Sequence, residues 1–275
     1  MKRIVYGILI LSLLVVSCNK SEKAKIAKKS KINHSFSELY ITGAYVLAPS
    51  QIFLTHTSDD SMKVLVLYPR RLKSFQQNIC EVSYYDSSYT VPTKYVIPFP
   101  LHEKAKKGDF VLTWWQSGIG MQRAYVVNDS NPYQPVVRYL DLDMYSNGQA
   151  PESREQLKPG SFRVINKPLQ PGTAIAVHKR GAVYEYNIVI NVVGDTVIAV
   201  NWSKILHVFP KSKVIPNPPD NSFKVGDVVW VPVYGLYTYG TVLGIKDGCA
   251  QVQVKILGQK QINCVPLLDI FKKLP

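Results

Sequence analysis

Apolar positions fall into three regimes along the chain. From Ile4 to Val16 they are nearly continuous, interrupted only by Tyr6, Gly7 and Ser12. From Asn19 to Lys31 the chain is polar and lysine-rich, with no usable apolar face. From about residue 40 onward, short runs of Val, Ile, Leu and Tyr recur between turn residues at roughly ten-residue intervals, and no stretch sustains a helical period. The first run has about a dozen apolar residues, short of the ~20 that span a bilayer. The second is too polar to fold by itself and reads as a disordered tether. The third predicts an all-β protein.

The β region repeats itself, which fixes architecture more firmly than any single strand. Gly43-Ala-Tyr-Val-Leu-Ala-Pro49, Gly108-Asp-Phe-Val-Leu-Thr-Trp114, Gly172-Thr-Ala-Ile-Ala-Val-His178 and Gly226-Asp-Val-Val-Trp-Val-Pro232 each read as glycine, one residue, then an apolar strand. Second strands are predicted at 63–68, 123–127, 186–191 and 240–245, and third strands at 80–85, 135–140, 196–202 and 250–256. Each unit then closes through a proline corner, at Pro92, Pro159, Pro210 and Pro266. Five short strands in ~60 residues suit a small closed barrel. The expected units are 36–102, 103–167, 168–217 and 218–275; the alternative is one β-sandwich with chance similarities among its strands.

Residues 1–17 have the basic start and apolar core of an export signal. Leu14-Val15-Val16-Ser17-Cys18 resembles the lipobox of bacterial lipoproteins. The resemblance implies cleavage before Cys18 and acylation of its thiol and new amine, with residues 18–35 as lipidated anchor and tether. Several buried acyl chains, at about 0.8 kcal/mol per methylene, would hold the protein on a bacterial membrane, periplasmic or surface-facing. Six lysines against Glu22 give the tether +5 and Lys2 with Arg3 adds two, so half of the formal +14 precedes residue 32.

The last unit, Phe223-Lys-Val-Gly-Asp-Val-Val-Trp-Val-Pro232 with Tyr239-Gly-Thr-Val-Leu-Gly-Ile-Lys-Asp-Gly-Cys-Ala-Gln-Val-Gln-Val254, resembles Tudor and agenet domains of the SH3-like barrel group. The second unit resembles them through Gly108-Asp109 and Val137-Arg-Tyr-Leu-Asp141, and the other two only in strand pattern. The resemblance implies tandem five-stranded SH3-like (Tudor-like) barrels with aromatic cages that attract alkylated cations. Trp114, Trp115, Tyr139 and Asp141 are the candidates in the second unit, and Trp230, Tyr234, Tyr237 and Tyr239 in the last, where no acidic residue follows on the third strand. Packing between units is the alternative role for these rings.

Other chemistry is thin. Asp141, Asp143, Asn147 and Glu152 fall at four ligand places of a calcium-loop spacing, but Tyr145 and Ser146 occupy positions that such a loop gives to a ligand and a glycine. His34, His56, His102, His178 and His207 have no ligand spacing, and Ser117 lacks a nucleophile-elbow context. Neither a catalytic constellation nor a cofactor is expected. Cys249 and Cys264 flank the third-to-fourth strand hairpin of the last unit and form a candidate disulfide, leaving Cys80 as an odd thiol. These observations together suggest a non-catalytic binding or scaffolding lipoprotein. Its partners would be the membrane, through the lipid anchor, and an envelope protein, host protein or anionic polymer. Nucleic acid, or another polyanion bound by basic aromatic surfaces, is the alternative that export disfavours.

Overall fold

The computed structural model describes residues 39–55, 64–142, 153–219 and 222–275; Cys18, the export signal and most of the calcium-like loop lie outside these. Nineteen strands are described. The first sheet comprises β1 (Tyr45–Pro49), β2 (Leu67–Gln76), β3 (Ile79–Tyr84), β4 (Ser87–Pro92) and β5 (Ile97–Pro98), with a short helix, α1 (Gln51–Thr55), after β1. The second comprises β6 (Phe110–Trp114), β7 (Met121–Asn128), β8 (Val136–Tyr139), β9 (Arg154–Gln156) and β10 (Arg163–Ile165). Next come β11 (Ala174–Arg180), β12 (Val183–Val193), β13 (Thr196–Asn201), β14 (Leu206–Pro210) and β15 (Val214–Pro216). The last four are β16 (Val228–Val233), β17 (Leu236–Lys246), β18 (Cys249–Ile256) and β19 (Gln259–Pro266). The chain is therefore all-β, built of small antiparallel sheets.

One pairing scheme recurs. The first two sheets run β4-β3-β2-β1-β5 and, with the second starting from its closing strand, β10-β6-β7-β8-β9. The third and fourth sets follow the same meander and join into a nine-stranded sheet where Glu185 of β12 pairs with Leu236 of β17. In every set the long second strand pairs with the first strand through one half and with the third through the other. A register shift marks the change, at Leu72/Ser74, Val126/Asn128, Val189/Asn191 and Val242/Gly244. An extra residue at such a point bends the strand and increases its twist.

The repeated glycine is tied to that bend. Gly43, Gly108, Gly172 and Gly226 have φ of 86°, 97°, 93° and 92°, a region that side chains disfavour. Their N–H groups donate to the carbonyls of Leu72, Val126, Val189 and Val242 at 2.7, 3.0, 2.8 and 2.8 Å, the residues at which each bend begins. Proline likewise sets the closing corner: Pro92, Pro210 and Pro266 each precede a single 3-10 turn, over Thr93–Tyr95, Lys211–Lys213 and Leu267–Asp269.

The second and third sets each bury a small core of their own. In the second, Val111, Ala124, Val126, Val137, Tyr139, Leu157 and Phe162 form one cluster; in the third, Ile175, Val177, Val189, Val197, Ala199 and Val214 form another. A buried side chain of this kind contributes about 1.5–3 kcal/mol, so cores this small depend on neighbours. Trp114 of the second set packs against Tyr45 and Phe99 of the first, with ring centroids 4.9 and 5.7 Å away. Asn217 Nδ2 donates to the carbonyls of Leu268 and Ile270 at 2.7 and 3.0 Å, tying the third set to the fourth.

The predicted second strand of the first set requires correction. The apolar run 64–67 lies mostly ahead of β2, which starts at Leu67 and continues to Gln76. Val64 instead bridges Ile205, and the Leu65 N–H donates to the Lys204 carbonyl at 2.8 Å, so the run ties the first set to the third. Within the run Leu65 and Leu67 are buried while Val64 and Val66 are exposed, so it alternates against the third set rather than within its own hairpin.

Candidate ligand-binding site

The middle of the molecule is organised by one buried cation. Arg123 lies on β7, fully buried, and its backbone N–H donates to Asp141 Oδ2 at 2.8 Å. Its Nε and Nη2 donate to Asp141 Oδ1 at 3.0 and 2.6 Å. From the fourth set, Asp269 accepts from Nη1 and, at 2.9 Å, from Nη2; from the third, the Tyr186 hydroxyl accepts from Nη2 at 3.2 Å. Three sets thus meet on one guanidinium, whose planar fork suits two carboxylates.

The two acids titrate in opposite directions. Burial opposes ionisation of Asp141, but the Arg123 charge and its hydrogen bonds outweigh burial and hold the carboxyl below its ordinary value. Burial dominates at Asp269 and pushes its carboxyl up despite Arg123. One cation facing two carboxylates cannot fully compensate both.

Next to this node lies a cavity of about 210 Å³ between the first three sets. Its walls are largely aliphatic, from Leu65, Leu67, Ile188, Ile190 and Val200, while Gln122, Asp141 and Lys204 supply polar atoms. Gln122 Oε1 is buried and has no hydrogen-bond partner among the described residues. Trp202, in the turn after β13, forms part of the lining. Its ring meets that of Tyr234 edge to face at 6.3 Å, and the two are 37% and 71% exposed. Tyr234 sits at a positive φ of 48° in the β16–β17 turn, which projects it from the fourth set.

The ring positions singled out from the sequence separate into buried and exposed groups. Trp114 and Tyr139 are buried, and the Tyr139 hydroxyl donates to Glu155 at 2.6 Å. Asp141 is engaged by Arg123, so these three are not gathered around an open space; Trp115 alone of that group is exposed. In the fourth set Trp230 and Tyr237 are buried, with Tyr237 edge to face against Tyr186 and Phe271. Tyr239 covers Trp230 with ring centroids 3.9 Å apart and keeps an exposed outer face. A disulfide joins Cys249 and Cys264, with Cα atoms 6.0 Å apart. Cys80 is buried, and desolvation pushes its thiol up to about 12.

Sequence reasoning missed Arg123, Asp269, Gln122 and Trp202. A signal existed for Arg123, a charge between Met121 and Tyr125 on one face of a strand; for its partner 146 positions away no local signal exists.

No known protein family matches the chain, and no curated protein matches it. Among solved structures, a crystal structure of Arabidopsis thaliana AGDP1 (AGD34) is similar at 17% identity over 38% of this chain and 81% of that one, with a TM-score of 0.22. The strand pairing above stands independently of that likeness. Fold and site together define an all-β repeat protein with a buried ionic junction and a partly apolar cavity beside it.

Proposed function

We propose that this chain is a non-catalytic binding or scaffolding module, held on a bacterial membrane by lipid at Cys18 and displaying four Tudor-like repeats as one body. The observation that carries the binding reading is the exposed Trp202–Tyr234 pair at the edge of the cavity. Exposed aromatic rings beside a partly apolar cavity are the usual composition of a binding hot spot. The anchor reading rests on Leu14-Val-Val-Ser-Cys18 and the apolar run before it.

Pull-down from cross-linked envelope extract with residues 19–275, beside a Trp202→Ala, Tyr234→Ala variant, tests the module. A specific partner retained by the first and lost by the second is the expected result. An identical capture set from both would sink the binding role of this surface. Cell fractionation tests the anchor: Cys18→Ala should move the chain from the membrane to the soluble fraction. The positive charge remaining beyond residue 31 favours anionic partners slightly, and a polyanion reading would show as capture that falls steeply with salt.

A further inference from the structure

We propose that the tyrosine-framed Arg70 of the first set is a binding site for an oxyanion, the carboxylate or phosphate group of a ligand whose adjoining planar part lies on Tyr85. The site is separate from the Trp202–Tyr234 surface and does not depend on it.

The guanidinium is held in place before any ligand arrives. Arg70 lies on β2 two positions before Leu72, which is fully buried, so its stem rises from the core side of the strand. The guanidinium carbon is 5.3 Å from the centre of the Tyr68 ring and 5.2 Å from that of Tyr84 on β3. Nε donates to the Tyr89 hydroxyl at 3.3 Å and Nη1 to the Pro69 carbonyl at 2.9 Å. The Tyr89 hydroxyl donates in turn to the Pro49 carbonyl at 2.6 Å, which fixes it from β1. Two rings and two hydrogen bonds therefore set the plane of the cation.

A counter-charge is what this cation lacks. Arg70 is half-buried, and charged groups at such positions are ordinarily paired. Among the described residues no carboxylate reaches it and Nη2 donates to no acceptor. Glu81 lies on the opposite face of β3 from Tyr84 and accepts from the Ser74 and Ser88 hydroxyls. Rings around an open space attract alkylated cations; here Arg70 fills that place, so the remaining capacity is for an anion. Its planar fork suits the paired oxygens of a carboxylate or phosphate. Arg71 is turned away, with its ring contact on Tyr45 at 3.3 Å and its Nη1 on the Gly43 carbonyl at 2.8 Å. The site thus offers one fork rather than a basic track, which suits a single anionic group better than a polyanion.

Tyr85 supplies the second half. Tyr84 and Ser87 pair across the β3–β4 turn and leave Tyr85 and Asp86 as its two residues. Tyr85 has φ of 49°, a position that Asn, Asp or Gly fills at less cost. Its ring meets Tyr84 edge to face at 4.8 Å and is 90% exposed, so folding gains little from it. A planar group attached to the bound anion would cover that face.

The test follows arginine Nε–H resonances of nitrogen-15-labelled residues 19–275 during titration with inorganic phosphate, phenyl phosphate, acetate and benzoate, each against potassium chloride at matched ionic strength. The Arg70 resonance, identified by its absence from Arg70→Lys, should shift saturably with the phosphates, the carboxylates or both, and the responding pair names the oxyanion. Amide shifts of Tyr84 and Tyr85 report binding in Arg70→Lys, which should be at least about 10-fold weaker at an unchanged melting temperature. The aryl form should bind several-fold more tightly than the bare anion, and Tyr85→Ala, at a residue that folding scarcely uses, should remove that advantage. Absence of a saturable Arg70 shift with all four probes, or shifts that chloride reproduces, would overturn the site on the natural chain alone. Undiminished binding by Arg70→Lys would remove Arg70 from it, and equal affinity for aryl and bare forms would remove Tyr85.

Discussion

The second and fourth sets carry similar sequence features and put them to partly different uses. Each has aromatic residues at or after its first strand and rings on later strands. In the second, Trp114 and Tyr139 are buried and Arg123 and Asp141 form the ionic centre. In the fourth, Tyr234 and Tyr239 remain 71% and 59% exposed. The second set receives contacts from the first through Tyr45 and Phe99, and from the third and fourth through Tyr186 and Asp269. A repeat enclosed by its neighbours spends its rings and charges on them, whereas one at the end of the array retains some for other molecules. Position in an array, as much as sequence within a repeat, decides which side chains are available for binding.

The strongest way to break this comparison is at Arg123. Arg123→Met leaves Asp141 and Asp269 buried without their cation, and should cost about 3–5 kcal/mol in urea unfolding. An equal loss from removing a fourth-set residue such as Tyr239 would mean that the second set is not the centre. The carboxylates sharpen the point through pH. Asp269 has its folded value raised, so its contribution is complete below the ordinary value of 3.8 and is lost as pH rises through the higher folded value. Asp141 has its value lowered, so its contribution is present above 3.8 and is lost as pH falls through the lower folded value. Relative to the natural chain, Asp269→Asn should therefore fare better at neutral pH than below pH 3.8, and Asp141→Asn should fare worse. The opposite order would reassign the two roles.

Next in size is Trp114→Ala. Removing a buried indole between two rings of the first set should cost about 3 kcal/mol, with little relaxation to fill the space. A loss below about 1 kcal/mol would show Trp114 to be a surface residue in solution, and would return it to the binding surface.

The fourth set has a covalent restraint that the second lacks. The cysteines are 15 positions apart, and closing a loop of that length corresponds to about 3 kcal/mol in the chain-entropy account. Cys249→Ser with Cys264→Ser should therefore lower stability by about 2–3 kcal/mol, and dithiothreitol should have the same effect on the natural chain. If reduction changes nothing, packing alone holds this terminal set. Cys80, buried with its thiol pushed up to about 12, should resist alkylation in the folded protein throughout.

Much of the fold was legible because each repeat states its local rules openly. Gly43, Gly108, Gly172 and Gly226 mark a positive-φ position that recurs in every set, and Pro92, Pro210 and Pro266 mark three of the closing corners. The candidate site was less legible because it lies between repeats. Gln122, Asp141, Trp202 and Leu65 line one cavity through contacts of long sequence separation, which hydrophobic periodicity does not encode. The run 64–67 illustrates the same loss: its strand pattern was plain, but its partner was in another repeat.

The smallest effect on stability should come from Tyr239→Ala. Tyr239 rests on Trp230 at 3.9 Å, and an aromatic pair contributes about 0.5–1.5 kcal/mol beyond area burial, so a loss near 1 kcal/mol is expected. Its outer face is open, and the substitution also uncovers part of Trp230, which is 8% exposed with Tyr239 in place. Intrinsic fluorescence should therefore shift to longer wavelength while cooperative unfolding is retained. The same measurement on Trp114→Ala should show lost cooperativity or a much lower midpoint. Similar midpoints for the two variants would mean that enclosure does not separate the second set from the fourth, and the surface assigned to binding would have to be redrawn.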